Sequence, residues 1–368
     1  MYEVIEIKPA IHWIGAKDPD LRTFDDLFPT NCGTTYNSYL IKGSDKIAII
    51  DTVKGNRSEE FLAKMLEHSP KAVVVSTQAA RTFLGNLIHT PFASHVVKDG
   101  EVIDLGGRHL RFIIAPFLHW PDTMFTLLEG DGMLFTCDAF GAHYCGPSIF
   151  SDELPDYSDE FKFYFDCIMR PFKEKALAAI AKIRGERLEM LCPSHGPIYR
   201  KEPWRPVNTY EKWCTPSGDG KKVAIFYLSP HGNTERMAAA VAKGAAIAGV
   251  TTETCHITQR SPEFIRDLME TADALIFGIP TINRDIPKPM WDVLAYLSTV
   301  RLKSGIGGVF GSYGWSGEAC RLAEERLKGF NFKLPATAIR FPFTPRPEAL
   351  EQCEAFGRAI AEEILKKQ

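Results

Sequence analysis

The chain has no Cys-x-x-Cys pair, although it carries nine cysteines: Cys32, Cys137, Cys145, Cys167, Cys192, Cys214, Cys255, Cys320 and Cys353. This odd, scattered set argues against a rubredoxin-type, zinc-ribbon or iron–sulfur module and for reduced thiols. No apolar run approaches the length of a membrane span. The first residues, Met1 to Glu6, hold neither a basic start nor an apolar stretch, so no signal peptide is expected and a cytoplasmic location is the default. A large surplus of either charge sign is also missing. With a formal net charge of -3 there is no electrostatic reason to expect nucleic acid or an anionic membrane surface as partner. Internal repeats and low-complexity tracts are absent as well.

What is present is enough chain, 368 residues, for two domains that each bury a core. The sharpest change of composition is Cys214 to Lys222, a polar stretch rich in turn residues, and the domain boundary is expected there, between 1–214 and 222–368. Before it lie short β-rich runs: Ser38 to Ile41, Ile47 to Ile50, Ala72 to Val75, Leu110 to Ala115, Met124 to Leu128 and Met133 to Thr136. Helical periodicity covers Glu59 to Glu67 and Lys173 to Ile183, so this half reads as two sheets covered by helices. After it, apolar strands at Val223 to Leu228, Ala274 to Gly278 and Gly308 to Gly311 alternate with helices at Glu235 to Ala248, Gly317 to Leu327 and Pro347 to Lys366. That alternation predicts an α/β fold with a parallel sheet buried on both faces.

Three loops of the second half converge in such a sheet, because its strand ends share one crevice. Ser229-Pro230-His231-Gly232-Asn233-Thr234 lies between the first strand and an alanine-rich helix, where backbone amides and the Ser229 and Thr234 hydroxyls suit a phosphate. It contains no lysine, which argues against a nucleotide triphosphatase loop. Gly278-Ile279-Pro280-Thr281-Ile282-Asn283 and Gly311-Ser312-Tyr313-Gly314-Trp315-Ser316-Gly317 add apolar and aromatic surface for a flat ring, with amides and Asn283 for its polar edge. An ordinary strand-to-helix turn capped by Thr234 is the plain alternative for the first loop taken alone.

The three loops resemble those of flavodoxin-type domains, and Gly311 to Ala319 is similar to the corresponding loop of flavodiiron, or A-type flavoprotein, proteins. The resemblance implies FMN, held by Ser229, His231, Gly232, Asn233, Thr234, Pro280, Thr281, Ile282, Asn283, Ser312, Tyr313, Gly314, Trp315 and Gly317. It extends over nearly the whole chain. Gly33 to Leu40, Ile50 to Lys54, His119 to Met124, Cys137 to Gly141 and Pro193 to Gly196 resemble that family's metallo-β-lactamase-like domain. The implied fold is an αββα sandwich followed by a flavodoxin-like doubly wound sheet, and the implied assembly a head-to-tail homodimer in which the partner chain brings flavin and metal together.

In the family the first domain holds two irons that reduce dioxygen or nitric oxide. Matching residue by residue implies that His119 and His195 stand at imidazole positions and Asp138 at the bridging carboxylate. The remaining ligands come from a His-x-Glu-x-Asp-His motif after a strand, and here Val73-Val74-Val75 is followed by Ser76-Thr77-Gln78-Ala79-Ala80-Arg81-Thr82-Phe83-Leu84-Gly85. No register restores the motif, and His89 falls too late, inside the following helical pattern. A two-iron centre is therefore not expected; a mononuclear ion on two histidines and one carboxylate stays open beside a closed, metal-free pocket. Arg81 is expected to enter that pocket and pair with Asp138, and Asp51 to tether a loop. His12, His68, His95, His109, His143 and His256 lack ligand spacing and read as surface or core residues.

The function expected is FMN-dependent electron transfer with a redox partner protein or reduced cofactor. Oxygen or nitric oxide reduction at an atypical metal site, and a non-catalytic flavin subunit of a larger redox complex, are the alternatives. A hydrolase reading lacks the ligand set for a metal-bound water.

Overall fold

The structure, a computed structural model, describes residues 3–65, 73–87, 89, 91–215 and 220–366. The chain divides into two compact units, Met1–Thr215 and Pro216–Gln368.

The first unit stacks two sheets. One is antiparallel, in the order Ile5–Lys8, Ile11–Trp13, Tyr39–Lys42, Ile47–Ile50. The other runs Val102–Asp104, His109–Ile114, Met124–Leu128, Met133–Phe135, Met190–Cys192, antiparallel until its last pair, which is parallel. Alternation along each strand builds the layers, since successive side chains point to opposite faces. Tyr39 and Ile41 join Phe112, Leu128, Met133 and Phe135 between the sheets. Leu40 faces out to Phe61 of the helix Ser58–Met65. On the far side Ile113, Phe125, Leu127 and Leu134 meet Phe161, Tyr164, Ala179, Ile183, Val207 and Tyr210, which belong to the helices Ser158–Tyr164, Lys173–Ile183 and Arg205–Cys214. The result is helix, sheet, sheet, helix, as expected.

One polar cluster lies inside these helices. Asp166 and Arg170, 4% and 1% exposed, pair at 2.8 Å in the irregular segment Phe165–Phe172, and the Lys162 ammonium reaches Asp166 at 2.6 Å. Asp166→Ala would remove the buried carboxylate that the Arg170 guanidinium and the Lys162 ammonium share. It is expected to destabilise the first unit by about 3 kcal/mol, the scale measured for breaking buried pairs. Urea unfolding followed by circular dichroism checks this; an unchanged midpoint would contradict it.

The second unit is a wholly parallel sheet in the order Val250–His256, Lys221–Tyr227, Ala274–Gly278, Gly307–Tyr313, Ile339–Pro342. Val223, Ile225, Ile276 and Phe310 point to the helices Asn233–Ala245 and Pro347–Lys366. Ala224, Phe226, Leu275, Phe277 and Val309 point to Pro262–Thr271, Lys288–Ala295 and Glu318–Gly329. The strand order reverses between Lys221–Tyr227 and Ala274–Gly278, the switch point beside which such sheets bind ligands.

Several elements differ from the sequence expectation. Val250–His256 and Ile339–Pro342 are strands that hydrophobicity did not flag, because Val-Thr-Thr-Glu-Thr-Cys-His and Ile-Arg-Phe-Pro occupy the two edges of the sheet and carry half-polar patterns. The strand expected at Ala72 to Val75 is Val74–Ser76, and the helix expected from Glu59 is described as far as Met65. Among the described residues no helix is long and apolar enough to cross a membrane.

Candidate functional site

In the second unit the first strand runs into Ser229 to Gly232, and Gly232, at φ +75°, turns the chain into the helix Asn233–Ala245. Left-handed backbone there suits glycine, and a Cβ at this position would meet nothing within 4 Å, so the turn is open on its outer side. The two hydroxyls expected to suit a phosphate each make a hydrogen bond within the loops. Ser229 Oγ accepts the Glu235 amide at 3.0 Å, while the buried Thr234 Oγ1 lies 2.8 Å from Ser312 Oγ, tying the first loop to the third. The second loop joins the same cluster, for Thr281 donates its amide to the Ser312 carbonyl at 3.0 Å.

Beyond Thr281, Ile282 and Asp285 exchange backbone hydrogen bonds across Asn283 and Arg284, at φ +52° and +64°. Two consecutive left-handed residues make a type I′ turn, a geometry that asparagine tolerates well. Ile282 is 42% exposed and Trp315 79% exposed. Phe343, 67% exposed, follows the last strand and donates its amide to the Tyr313 carbonyl at 2.8 Å. Thr344 Oγ1 lies 3.2 Å from Asn233 Oδ1. This fourth loop was missed by sequence reasoning; its only signal is the aromatic Phe341-Pro342-Phe343 run, and the edge strand that places it was itself unrecognised. The loops thus bring together helix-terminal amides, hydroxyls and exposed apolar side chains at one end of the sheet.

In the first unit strand ends again bring separated residues together. Asp51 follows Ile47–Ile50, Asp138 follows Met133–Phe135, His195 follows Met190–Cys192, and His119 lies within the loop between His109–Ile114 and Met124–Leu128. The Asp138 carboxylate stands between the imidazoles: His119 Nε2 is 3.6 Å from one oxygen and His195 Nε2 3.6 Å from the other. Both separations exceed a hydrogen bond. His195 Nδ1 is 2.7 Å from the Thr35 carbonyl, which can only accept, so that nitrogen carries the proton and Nε2 offers its lone pair toward Asp138. Asp51 Oδ2 accepts from Ser194 Oγ at 2.8 Å, tethering the His195 loop as expected.

Burial dominates the electrostatics of the pocket. It raises the Asp138 carboxyl above its ordinary range, with the His119 imidazole pulling the other way. It raises Asp51 to about 6 against the stabilising Ser194 hydroxyl, and pushes His119 and His195 down. In each case burial shifts the balance toward the neutral form relative to the same group in water.

Two expectations are corrected. Arg81 does not pair with Asp138: its Nε donates to Ser94 Oγ at 2.8 Å and its guanidinium lies over the Phe92 ring at 4.6 Å. The reason is that Arg81 sits on the helix Gln78–Leu87, whose geometry directs it to the neighbouring strand Ser94–Val96. His89 lies beyond the end of that helix rather than within it. His143, read as an ordinary core or surface histidine, is buried with its ring 5.6 Å from that of His195, stacked on Phe24 at 4.2 Å and held by Thr34. Burial lowers it to about 2, so it is neutral at any physiological pH. His68 lies outside the described residues. Among the described residues no group of three or more His, Cys, Asp or Glu side chains is placed to hold a metal ion.

Comparison with known proteins agrees with both halves. Residues 225–357 match the flavodoxin family and residues 59–196 the ODP family beta lactamase. The chain is 35% identical to type A flavoprotein fprA of Rhodobacter capsulatus, across 98% of this chain and 91% of that protein. It is also 35% identical to a nitric oxide reductase of Moorella thermoacetica, across 99% of this chain and all of that one. The solved rubredoxin oxygen:oxidoreductase of Desulfovibrio gigas superposes with a TM-score of 0.72 at 28% identity, covering 99% of each chain. With an αββα lactamase-like unit, a flavodoxin-like sheet and full-length relatives of this similarity, the chain belongs to the flavodiiron, or type A flavoprotein, family.

Proposed function

We propose that the chain is an FMN-dependent electron-transfer protein whose lactamase-like unit lacks a complete two-iron centre. The observation that carries the second part is the segment after Val74–Ser76. Thr77 caps a helix there, its Oγ1 accepting the Ala80 amide at 3.1 Å and donating to the Asp122 carbonyl at 3.1 Å. From Thr77 to Thr82 the side chains are Thr, Gln, Ala, Ala, Arg and Thr, without an imidazole or carboxylate. Two metals sharing Asp138 would each find one imidazole and one carboxylate oxygen, and oxygen- and nitrogen-ligated iron needs several more donors. The residues do not fit a two-iron group.

The flavin loops do fit FMN. The amides at the start of the helix Asn233–Ala245, with Ser229, His231, Gly232 and Asn233 around them, would hold the phosphate on the positive end of the helix. Pro280, Thr281, Ile282, Asn283, Ser312, Tyr313, Gly314, Trp315 and Gly317 would hold the ring, and the exposure of Ile282, Trp315 and Phe343 supports an apolar partner there. FMN, when bound, supplies one- and two-electron exchange. The donor is a reduced partner protein or cofactor. A head-to-tail homodimer belongs to this reading, since each unit exposes apolar side chains: Leu87 and Trp120 in the first, Trp315 and Phe343 in the second. So does a reducing cytoplasmic setting, because all nine cysteines are free.

Purified protein should be yellow and release FMN, not FAD, in about a one-to-one ratio, as expected of a single built flavin site. Thr234→Val removes the hydrogen bond that ties the first and third loops. It should weaken FMN binding about tenfold, the cost of one buried unpaired hydroxyl. Fluorescence titration of the apoprotein measures both. Colourless protein that cannot be reconstituted would overturn the assignment.

Oxygen or nitric oxide reduction is the second reading, favoured by Asp138 standing between two imidazoles and by the similarity to the Moorella thermoacetica nitric oxide reductase. Iron content measured on the same sample as turnover separates the two.

A further inference from the structure

The second and third flavin loops are joined by one ion pair. Arg284, in the left-handed turn after Ile282, brings its Nε to 3.3 Å from Oε1 of Glu318, the first residue of the helix that leaves the third loop. The two partners are unequally exposed: the arginine side chain is 77% exposed and the glutamate 26%. The second carboxylate oxygen, Oε2, is closed off from solvent and has no hydrogen-bond partner. The Ser316 hydroxyl and the Glu318 amide lie near enough to hold the carboxyl below its ordinary range, yet neither bonds Oε2. The side chain is therefore charged at neutral pH with an acceptor to spare. Neighbouring charges are engaged elsewhere. Asp285 accepts the Ile286 amide at 2.7 Å and the Trp291 indole at 3.3 Å, and Arg340 donates to the Gly317 carbonyl at 2.7 Å.

We propose that Glu318 meets the bound flavin through Oε2 and, as a fixed negative charge partly balanced by Arg284, sets how readily the flavin accepts electrons. This rests on the FMN reading. Two electrons and one proton taken up at neutral pH leave the ring with one negative charge, so a carboxylate beside it opposes reduction and a guanidinium favours it. A purely structural clamp predicts something else. Breaking the pair from either side would then loosen both loops alike and move the flavin's properties in one direction.

The test equilibrates the FMN-loaded full chain with a dye of known potential at neutral pH and low salt, and reads the ratio of reduced to oxidised flavin by absorbance. Glu318→Gln keeps the shape and removes the charge. It should raise that ratio about tenfold, the scale on which one nearby charge shifts an ionisation. Arg284→Gln should lower the ratio severalfold, because the carboxylate loses its counter-charge. Glu318→Asp, which keeps the charge, should stay close to the parent protein. Glu325→Gln, two turns further along the same helix in an exposed pair with Arg321, should leave the ratio unaltered. Opposite shifts in Glu318→Gln and Arg284→Gln support the assignment. Shifts of one sign, or an unchanged ratio in either variant, overturn it while the FMN reading stands; a chain that takes up no FMN overturns both.

Discussion

Protein photoreduced without air and then exposed to dioxygen should return its electrons slowly, with hydrogen peroxide as product and little water. A lone flavin gives dioxygen two electrons and releases peroxide, so reduction to water needs a second centre that keeps the oxygen bound for two more. Around Asp138 the chain offers His119 and His195, with Asp51 already bonded to Ser194. The segment that would complete the shell is a capped helix bearing Gln78, Ala79, Ala80, Arg81 and Thr82. Transfer to an added electron acceptor protein or cofactor should exceed the rate with dioxygen by at least about tenfold, a barrier difference near 1.4 kcal/mol. Oxygen-electrode and peroxide assays with iron determined on the same sample check it. Rapid turnover to water together with two irons per chain would reverse the reading.

The second large effect concerns the packing that supports the flavin loop. The helix Asn233–Ala245, which starts at that loop, packs against Pro347–Lys366 through a pair of glycines. A Cβ on Gly357 would collide with the Val241 carbonyl oxygen, and one on Gly244 with the Glu354 carbonyl oxygen. These obstacles are backbone, so no rotamer change relieves them. Gly357→Val must push the helices apart and open the core around Val241, Cys353 and Ile360. The expected cost is about 3 kcal/mol or more, the upper range of overpacking. In a unit of this size that lowers the temperature at which flavin fluorescence appears by roughly 10 °C. Gly357→Ala should lower it less. A Val variant that releases flavin at the original temperature would show that the helices can separate freely.

Much of the architecture was legible because it rests on local periodicity. The continuous apolar strand Ala274–Gly278 and the helices Lys173–Ile183 and Pro347–Lys366 coincide with their sequence patterns, since burial on one face or both imposes that pattern directly. Edge strands escaped notice because half of each side-chain row faces solvent, and the Phe343 loop escaped with them. The positions of His119, Asp138 and His195 were legible from their motifs, but their arrangement was not. His119 and His195 stand about 76 residues apart in the chain, and only sheet pairing sets Asp138 between two imidazoles. Arg81 shows the same limit. Its sequence position marks where the family keeps ligands, yet a helix begun at Gln78 turns its side chain to Phe92 and Ser94, because side-chain direction follows the backbone. By itself the sequence determined the two-unit α/β organisation, the glycine turn between the first strand and first helix of the second unit, and the residue types from Ser76 to Gly85, all of which follow from local composition and spacing. Tertiary structure alone decided which hydroxyls are engaged between loops, where Arg81 goes and that His143 lies against His195, because each depends on segments distant in sequence being brought side by side.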